Sequence, residues 1–407
     1  MKGIFSGLRV VELSADVAGS FAGQICADRG AEVIKVEPMN GDPLRNTNAF
    51  AVSESKLFQS LNRGKQSVTL DIYTQQGLEL ASALIQTADV VLVSLQKNRF
   101  PGKLGYESVR IENPGLIYLD INAFGEQGFW AEKPANDLVL QAYSGMLLSE
   151  GKTASDGKTP VPLVSTQMSE YATALYAIVG ISSALFHRVE TGIGQKVTTS
   201  KLLTLLSLQS SRVVNHDMAD KPLHKARKVL SLLRAEGASH EKVLARRKQL
   251  TPRLVPAFYR PYQTSDGAVF VGALTRRLRD KAREALNTTL QLRDDPDYDI
   301  ENDEYYQTVL QQQVEIEANL KSKTTAEWIK ILESHGVPTG EINFPEDLHE
   351  SPQLIENNYL GEIDHPSGKQ IHVMPHARFS AAPVPDSGLK GAPALGRDTE
   401  AVIDSLG

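Results

Sequence analysis

Residues whose type and spacing could carry chemistry are few in this sequence. Cys26 is the single cysteine, which excludes an intramolecular disulfide and a cysteine-based zinc cluster and points to a reducing cytoplasmic setting. No serine or cysteine stands in a nucleophile motif, and His187, His335 and His365, three of nine histidines, read as packing or surface residues. The segment Ala18-Gly19-Ser20-Phe21-Ala22-Gly23 follows the first expected strand but lacks the Gly-x-Gly-x-x-Gly spacing of a dinucleotide fingerprint. Its glycines, Gly19 and Gly23, are expected to permit close helix packing instead. Taken alone, Glu170 is a first-turn acid of a long helix, favoured by the helix dipole, with Ser165 or Thr166 as cap.

The elements that must hold these residues follow from periodicity. Leu8 to Leu13, Glu32 to Val36, Ser67 to Ile72, Asp89 to Leu95 and Leu116 to Ile121 read as strands, with helices at Phe21 to Asp28 and Gln75 to Thr87. Short β-branched runs alternating with helical patterns predict a doubly wound α/β region with a parallel sheet. A long helix over Tyr171 to Arg188 should stop at Thr191-Gly192-Ile193-Gly194, and the strand-like Lys196 to Thr199 follows. Farther on, Tyr262 to Val271 reads as a turn feeding a strand, Arg293 to Glu304 as a charged loop, and the proline-bearing tail as extended chain closing back over an earlier domain.

With 407 residues, 41% of them apolar and 23% charged, the chain has material for two domains, or a large one carrying a smaller one. A net charge of −6 excludes a generic polyanion binder. Ten basic residues crowd between Lys221 and Arg253 against Glu236 and Glu241. That stretch reads either as a solvated helical connector or as a patch facing phosphates or an acidic partner. No aromatic residue is interleaved there, which argues against nucleic acid. Tyr171 to Phe186 is shorter than the roughly 20 residues that span a bilayer, so a buried helix is expected and no membrane role. The N-terminal residues lack the apolar stretch of a signal peptide, so export is not expected.

Several segments together resemble the family III CoA-transferases, the CaiB/BaiF family. They are Gly7-Leu8-Arg9-Val10-Val11-Glu12-Leu13, Ala18-Gly19, Asp28-Arg29-Gly30-Ala31-Glu32-Val33-Ile34-Lys35-Val36-Glu37 and Gly41-Asp42-Pro43. Leu61-Asn62-Arg63-Gly64-Lys65, Thr191-Gly192-Ile193-Gly194-Gln195, Thr325-Ala326-Glu327-Trp328, Gly336-Val337-Pro338 and His365-Pro366-Ser367-Gly368 continue the match in order. The resemblance covers nearly the whole chain and is weakest from Lys221 to Arg253.

That resemblance implies a doubly wound α/β large domain, built from the N-terminal half and the C-terminal tail, with a smaller α+β domain between. The expected division is 1–205 for the first part of the large CoA-binding domain and 206–257 for the basic connector. Residues 258–345 would then form the small domain and 346–407 the returning segment. It further implies an interlocked homodimer, acyl-CoA and a small carboxylic acid as substrates, and no permanently bound cofactor.

Family members use one carboxylate, usually aspartate, as nucleophile. Counting back without gaps from Thr191 lands on Glu170, so the resemblance assigns Glu170 that role one methylene longer than usual. Glu170→Asp is accordingly expected to keep or raise activity. Asp16, Val17 and Ala18 fall in the turn that grips the adenosine end of CoA, and Arg63 and Lys65 where cations can meet phosphates. Asn136 and Asp137 complete the implied CoA-binding set. The family's Glu-Asn-Phe-x-Pro-Gly loop is replaced by Ser94-Leu95-Gln96-Lys97-Asn98-Arg99-Phe100-Pro101-Gly102. Racemases of the family need histidine directly before an aspartate, and here Asn136 precedes Asp137, so two-base epimerisation is not expected. The alternative to a transferase is a catalytically altered homologue that binds CoA or a partner, or acts on another acyl group.

Overall fold

The computed structural model describes residues 2–95, 100–250, 257–288 and 303–406. Residues 96–99 of the divergent loop, Arg253, and most of the charged segment from Arg293 to Glu304 lie outside the described residues. The chain divides into two compact units, Met1–Asn215 with Asn358–Gly407, and His216–Asn357. The breaks thus fall at 215/216 and 357/358, against expectations of 205/206 and 345/346, and the basic stretch is grouped with the second unit.

The first unit is organised by six parallel strands: β1 Arg9–Ser14, β2 Glu32–Glu37, β3 Gln66–Thr69, β4 Val90–Ser94, β5 Ile117–Asn122 and β6 Lys196–Ser200. Their order is β3-β2-β1-β4-β5-β6. Strand order reverses between β1 and β4, the switch point at which doubly wound sheets open a crevice beyond the carboxyl ends of their strands. The helices are α1 Val17–Asp28, α2 Lys56–Asn62, α3 Gln75–Gln86, α4 Tyr106–Glu112, α5 Asp137–Tyr143, α6 Met146–Glu150, α7 Met168–Thr191, α8 Lys201–Leu208 and α9 Ser210–Val213.

Alternation along the strands sends Val10, Val90 and Leu92 to a core with α1 and α7, and Val11, Val91 and Val93 to the opposite core with α3. Both faces are therefore covered, as a parallel sheet requires. Gly19 and Gly23 let α1 lie close on the sheet: a Cβ at Gly19 would collide with Ser14 and Ser94, and one at Gly23 with the Glu12 carboxylate.

Helix α7 differs from the expectation of a buried helix. It runs 24 residues and is long and apolar enough to cross a membrane by length and composition. Ala174, Ala177, Ile181 and Ala184 pack on the sheet, while Leu175, Tyr176, Val179, Phe186 and Val189 are exposed. Neither Ser165 nor Thr166 caps it. Gln167 holds the cap position without a side-chain bond, and Gly192 ends the helix at φ +72°, its N–H donating to the Arg188 carbonyl at 2.8 Å.

The second unit holds helices α10 Lys221–Ala235 and α11 His240–Leu250, then an antiparallel sheet of β7 Tyr259–Gln263, β8 Ala268–Gly272 and β9 Thr339–Glu341. Helices α12 Arg276–Ala285, α13 Asp303–Leu320, α14 Thr325–Ser334 and α15 Pro352–Glu356 complete it. Phe258, Tyr262, Val269, Val271, Trp328 and Leu332 form its core. The chain then returns to the first unit as a hairpin, β10 Leu360–His365 with β11 Gly368–Val373, and ends in α16 Thr399–Asp404. There Asp398 and Thr399 accept the Ser67 and Thr69 N–H groups at the β3 edge, closing a strand edge that would otherwise be open.

Candidate active site

Four chain segments meet at the switch point. Asp16 follows β1 and caps α1, its Oδ1 accepting the Gly19 N–H at 2.9 Å. Ser94 ends β4 and donates its hydroxyl to Asp16 Oδ2 at 2.6 Å. Lys201 opens α8 directly after β6, and Glu170 lies in the first turn of α7. The Lys201 ammonium donates to Asp16 Oδ2 and to Glu170 Oε1, both at 2.7 Å. Glu170 Oε2 accepts the Ala18 N–H at 3.1 Å. Each oxygen of Glu170 thus has one donor.

Glu170 is only 5% exposed and Lys201 and Ser94 are buried with it, while the Asp16 side chain is 25% exposed, and the charges are unequal: two carboxylates share one ammonium. Burial raises the Glu170 carboxyl above the ordinary range, repulsion from Asp16 adds to this, and Lys201 and the Ala18 N–H oppose it without cancelling it. Burial also opposes ionisation of Asp16, but the Lys201 charge and the bonds from Ser94 and Gly19 outweigh it, so Asp16 is held low. Burial disfavours the Lys201 charge, yet its two carboxylates raise it. Of the pair, Glu170 is the group that takes a proton first. A carboxylate with a basic, desolvated oxygen beside a backbone donor can act as a nucleophile toward an acyl carbon.

Residues 5–399 match the model of CoA-transferase family III. The chain belongs to this family. It is 28% identical to the mouse succinyl-CoA:glutarate CoA-transferase, over 98% of this chain and 86% of that protein. It is also 28% identical to the succinyl-CoA:mesaconate CoA-transferase of Haloarcula hispanica, over 100% of this chain and 97% of the other. A solved CaiB/BaiF family protein from Brucella suis superposes with a TM-score of 0.73 at 27% identity, covering the full length of both chains.

Within this family III chain the residues singled out from sequence have separate fates. Asp16, Ala18 and Glu170 come together, whereas Val17 is buried in the core. Asn136 caps α5, its Oδ1 accepting the Val139 N–H at 3.1 Å. Asp137 accepts the Ser169 N–H at 2.7 Å and the Gln141 amide at 2.6 Å. It therefore satisfies an orphan donor in the first turn of α7, which Gln167 leaves open.

Arg63 and Lys65 are engaged by partners within the protein. Arg63 forks onto Asp28 at 2.8 and 2.7 Å and bonds the Val373 carbonyl at 2.7 Å. Lys65 bonds the Ser20 carbonyl and Asn62 Oδ1 at 2.7 Å and pairs with Glu12 at 2.8 Å. Both are buried. Burial, with repulsion from Lys35, brings Lys65 down to about 8 despite Glu12. Cys26 is likewise inert: burial pushes its thiol up to about 12.

Lys201 and Ser94 were not anticipated from the sequence. One signal for Lys201 was present, since a cation at the first position of a helix opposes the dipole and calls for an anionic partner.

Proposed function

We propose that the chain transfers CoA between an acyl-CoA thioester and a small carboxylic acid, with Glu170 as covalent nucleophile. The observation that carries this reading is a buried carboxylate at the switch point of the sheet whose two oxygens are each fixed by a donor. The activities of the mouse and Haloarcula relatives support the substrate class. The resemblance supports the residue, and the glutamate stands where the family commonly has aspartate.

In this mechanism a Glu170 oxygen forms a bond to the thioester carbon, and the C–S bond breaks to release CoA thiolate and leave a mixed anhydride. The thiolate next attacks the Glu170 carbonyl carbon. The donor acid departs as carboxylate, leaving a glutamyl-CoA thioester on the enzyme. The acceptor carboxylate attacks that thioester, freeing the thiolate again, which takes the acceptor's acyl group and regenerates Glu170. Atoms and charge balance without an oxidant, reductant or metal.

Intact-protein mass spectrometry with succinyl-CoA and related acyl-CoAs tests the reading. A CoA or acyl adduct should form and should vanish in Glu170→Gln. A Glu170→Gln enzyme that still exchanges CoA at the wild-type rate overturns it.

The working form is proposed to be a homodimer. The resemblance implies a second copy, and the exposed Leu175, Tyr176, Val179 and Phe186 of α7 give it an apolar face to cover. Light scattering should give twice the chain mass, and a stable folded monomer that turns over would remove this reading.

A further inference from the structure

The cation touching Glu170 forms none of the bonds in the transfer steps, yet it also touches Asp16. We propose that Lys201 is a positioning residue that aims Glu170 and keeps it ionised, and that Asp16 retains Lys201 when acylation removes the Glu170 charge. The inference rests on Glu170 being the nucleophile.

Geometry carries it. The Lys201 side chain is 7% exposed, and a buried ammonium stripped of its only partner is strongly destabilising. With Glu170 free, Lys201 fixes Oε1 while the Ala18 N–H fixes Oε2. Once Glu170 becomes an anhydride or thioester it is neutral, and Asp16 remains as counter-ion. Asp16 is itself held by Ser94 and the Gly19 N–H, so Lys201 keeps its place through the covalent intermediates. It is ready to receive Glu170 when the carboxylate is released.

Among the described residues, the following charges lie on the elements around Glu170. Asp16 comes from the head of α1 and Lys201 from the head of α8. Asp137, from α5, is turned onto the Ser169 N–H and Gln141. On β5 and β6, Asp120 and Lys196 pair with each other at 3.1 Å, and Lys196 also pairs with Glu126. Removing Lys201 therefore leaves two carboxylates in a desolvated site, where like charges cannot both ionise easily.

The test reads Glu170 ionisation without relying on turnover. Carbon-13 carboxyl-labelled glutamate is incorporated, and the Glu170 resonance is assigned by its loss in Glu170→Gln. Its titration midpoint in Lys201→Met should lie about 1 to 3 pH units above wild type, and the acid limb of adduct formation should move with it. Lys201→Arg should bring both back toward wild type, and Asp16→Asn added to Lys201→Met should lower the midpoint by relieving repulsion. If Lys201→Met does not fold, Lys201→Gln, which keeps a hydrogen-bond donor but no charge, takes its place and should raise the midpoint in the same direction. An unchanged Glu170 midpoint in the folded variants overturns the inference. Midpoints that move as expected while Glu170→Gln still forms the adduct uphold control of Glu170 by Lys201 and reject Glu170 as nucleophile.

Discussion

Asp137 Oδ1 lies 2.7 Å from the backbone nitrogen of Ser169, the residue directly before Glu170. A carboxylate from α5 thus anchors the turn of α7 that carries the proposed nucleophile, 32 residues farther along the chain. Asp137→Ala should remove a capping acceptor and cost about 1 kcal/mol of stability. Because the turn then frays, adduct formation should slow. Asp137→Asn keeps an acceptor oxygen and should still form the adduct. Loss of the adduct in a folded Asp137→Asn protein would instead make Asp137 the nucleophile.

Much of this arrangement was legible in the sequence because it is local. Alternation gave the five N-terminal strands to within a residue or two at most ends, and Gly192 marked the end of α7. The site itself is assembled from positions far apart in sequence: 152 residues separate Ala18 from Glu170, and 185 separate Asp16 from Lys201. No periodicity encodes such a pairing. The burial of Arg63 and Lys65 was hidden for the converse reason, since a cation beside a glycine turn reads as exposed until the carboxylates of Asp28 and Glu12 are found beneath it.

The Arg63–Asp28 pair gives a second prediction. Arg63→Ala leaves the Asp28 carboxylate buried without its cation, which typically costs about 3 to 5 kcal/mol. Chemical denaturation should show that loss, while KM for acyl-CoA in the remaining folded fraction should be unchanged. A selective rise in KM at unchanged stability would return Arg63 to the phosphate-binding set.

His372 on β11 supplies a pH dependence of stability. Burial, with repulsion from Arg63 and His365, lowers its imidazole to about 4. Below its unfolded value near ~6.5 the unfolded chain binds a proton that the folded chain refuses. Its contribution to stability is therefore complete above that value and lost as pH falls toward 4. Melting temperature should decline over this window, and His372→Gln should flatten the decline. An identical pH dependence in the variant would show that His372 has no share in it.

The last prediction concerns the length of the proposed nucleophile. From the family pattern alone, Glu170→Asp restores the usual residue and should keep or raise activity. The structure argues the reverse for this chain. Glu170 reaches Lys201 at 2.7 Å and the Ala18 N–H at 3.1 Å simultaneously, and a side chain one methylene shorter, drawn back by about 1.5 Å, cannot hold both from the same backbone position. Misplacement of about 1 Å can cost on the order of 100-fold in rate. Glu170→Asp should therefore lower kcat strongly and leave KM for acyl-CoA nearly unchanged, with the covalent adduct still detectable at long times because a carboxylate remains. Steady-state kinetics alongside mass spectrometry decides the matter: a Glu170→Asp enzyme as fast as wild type would mean that the reach to Lys201 and Ala18 does not limit the reaction.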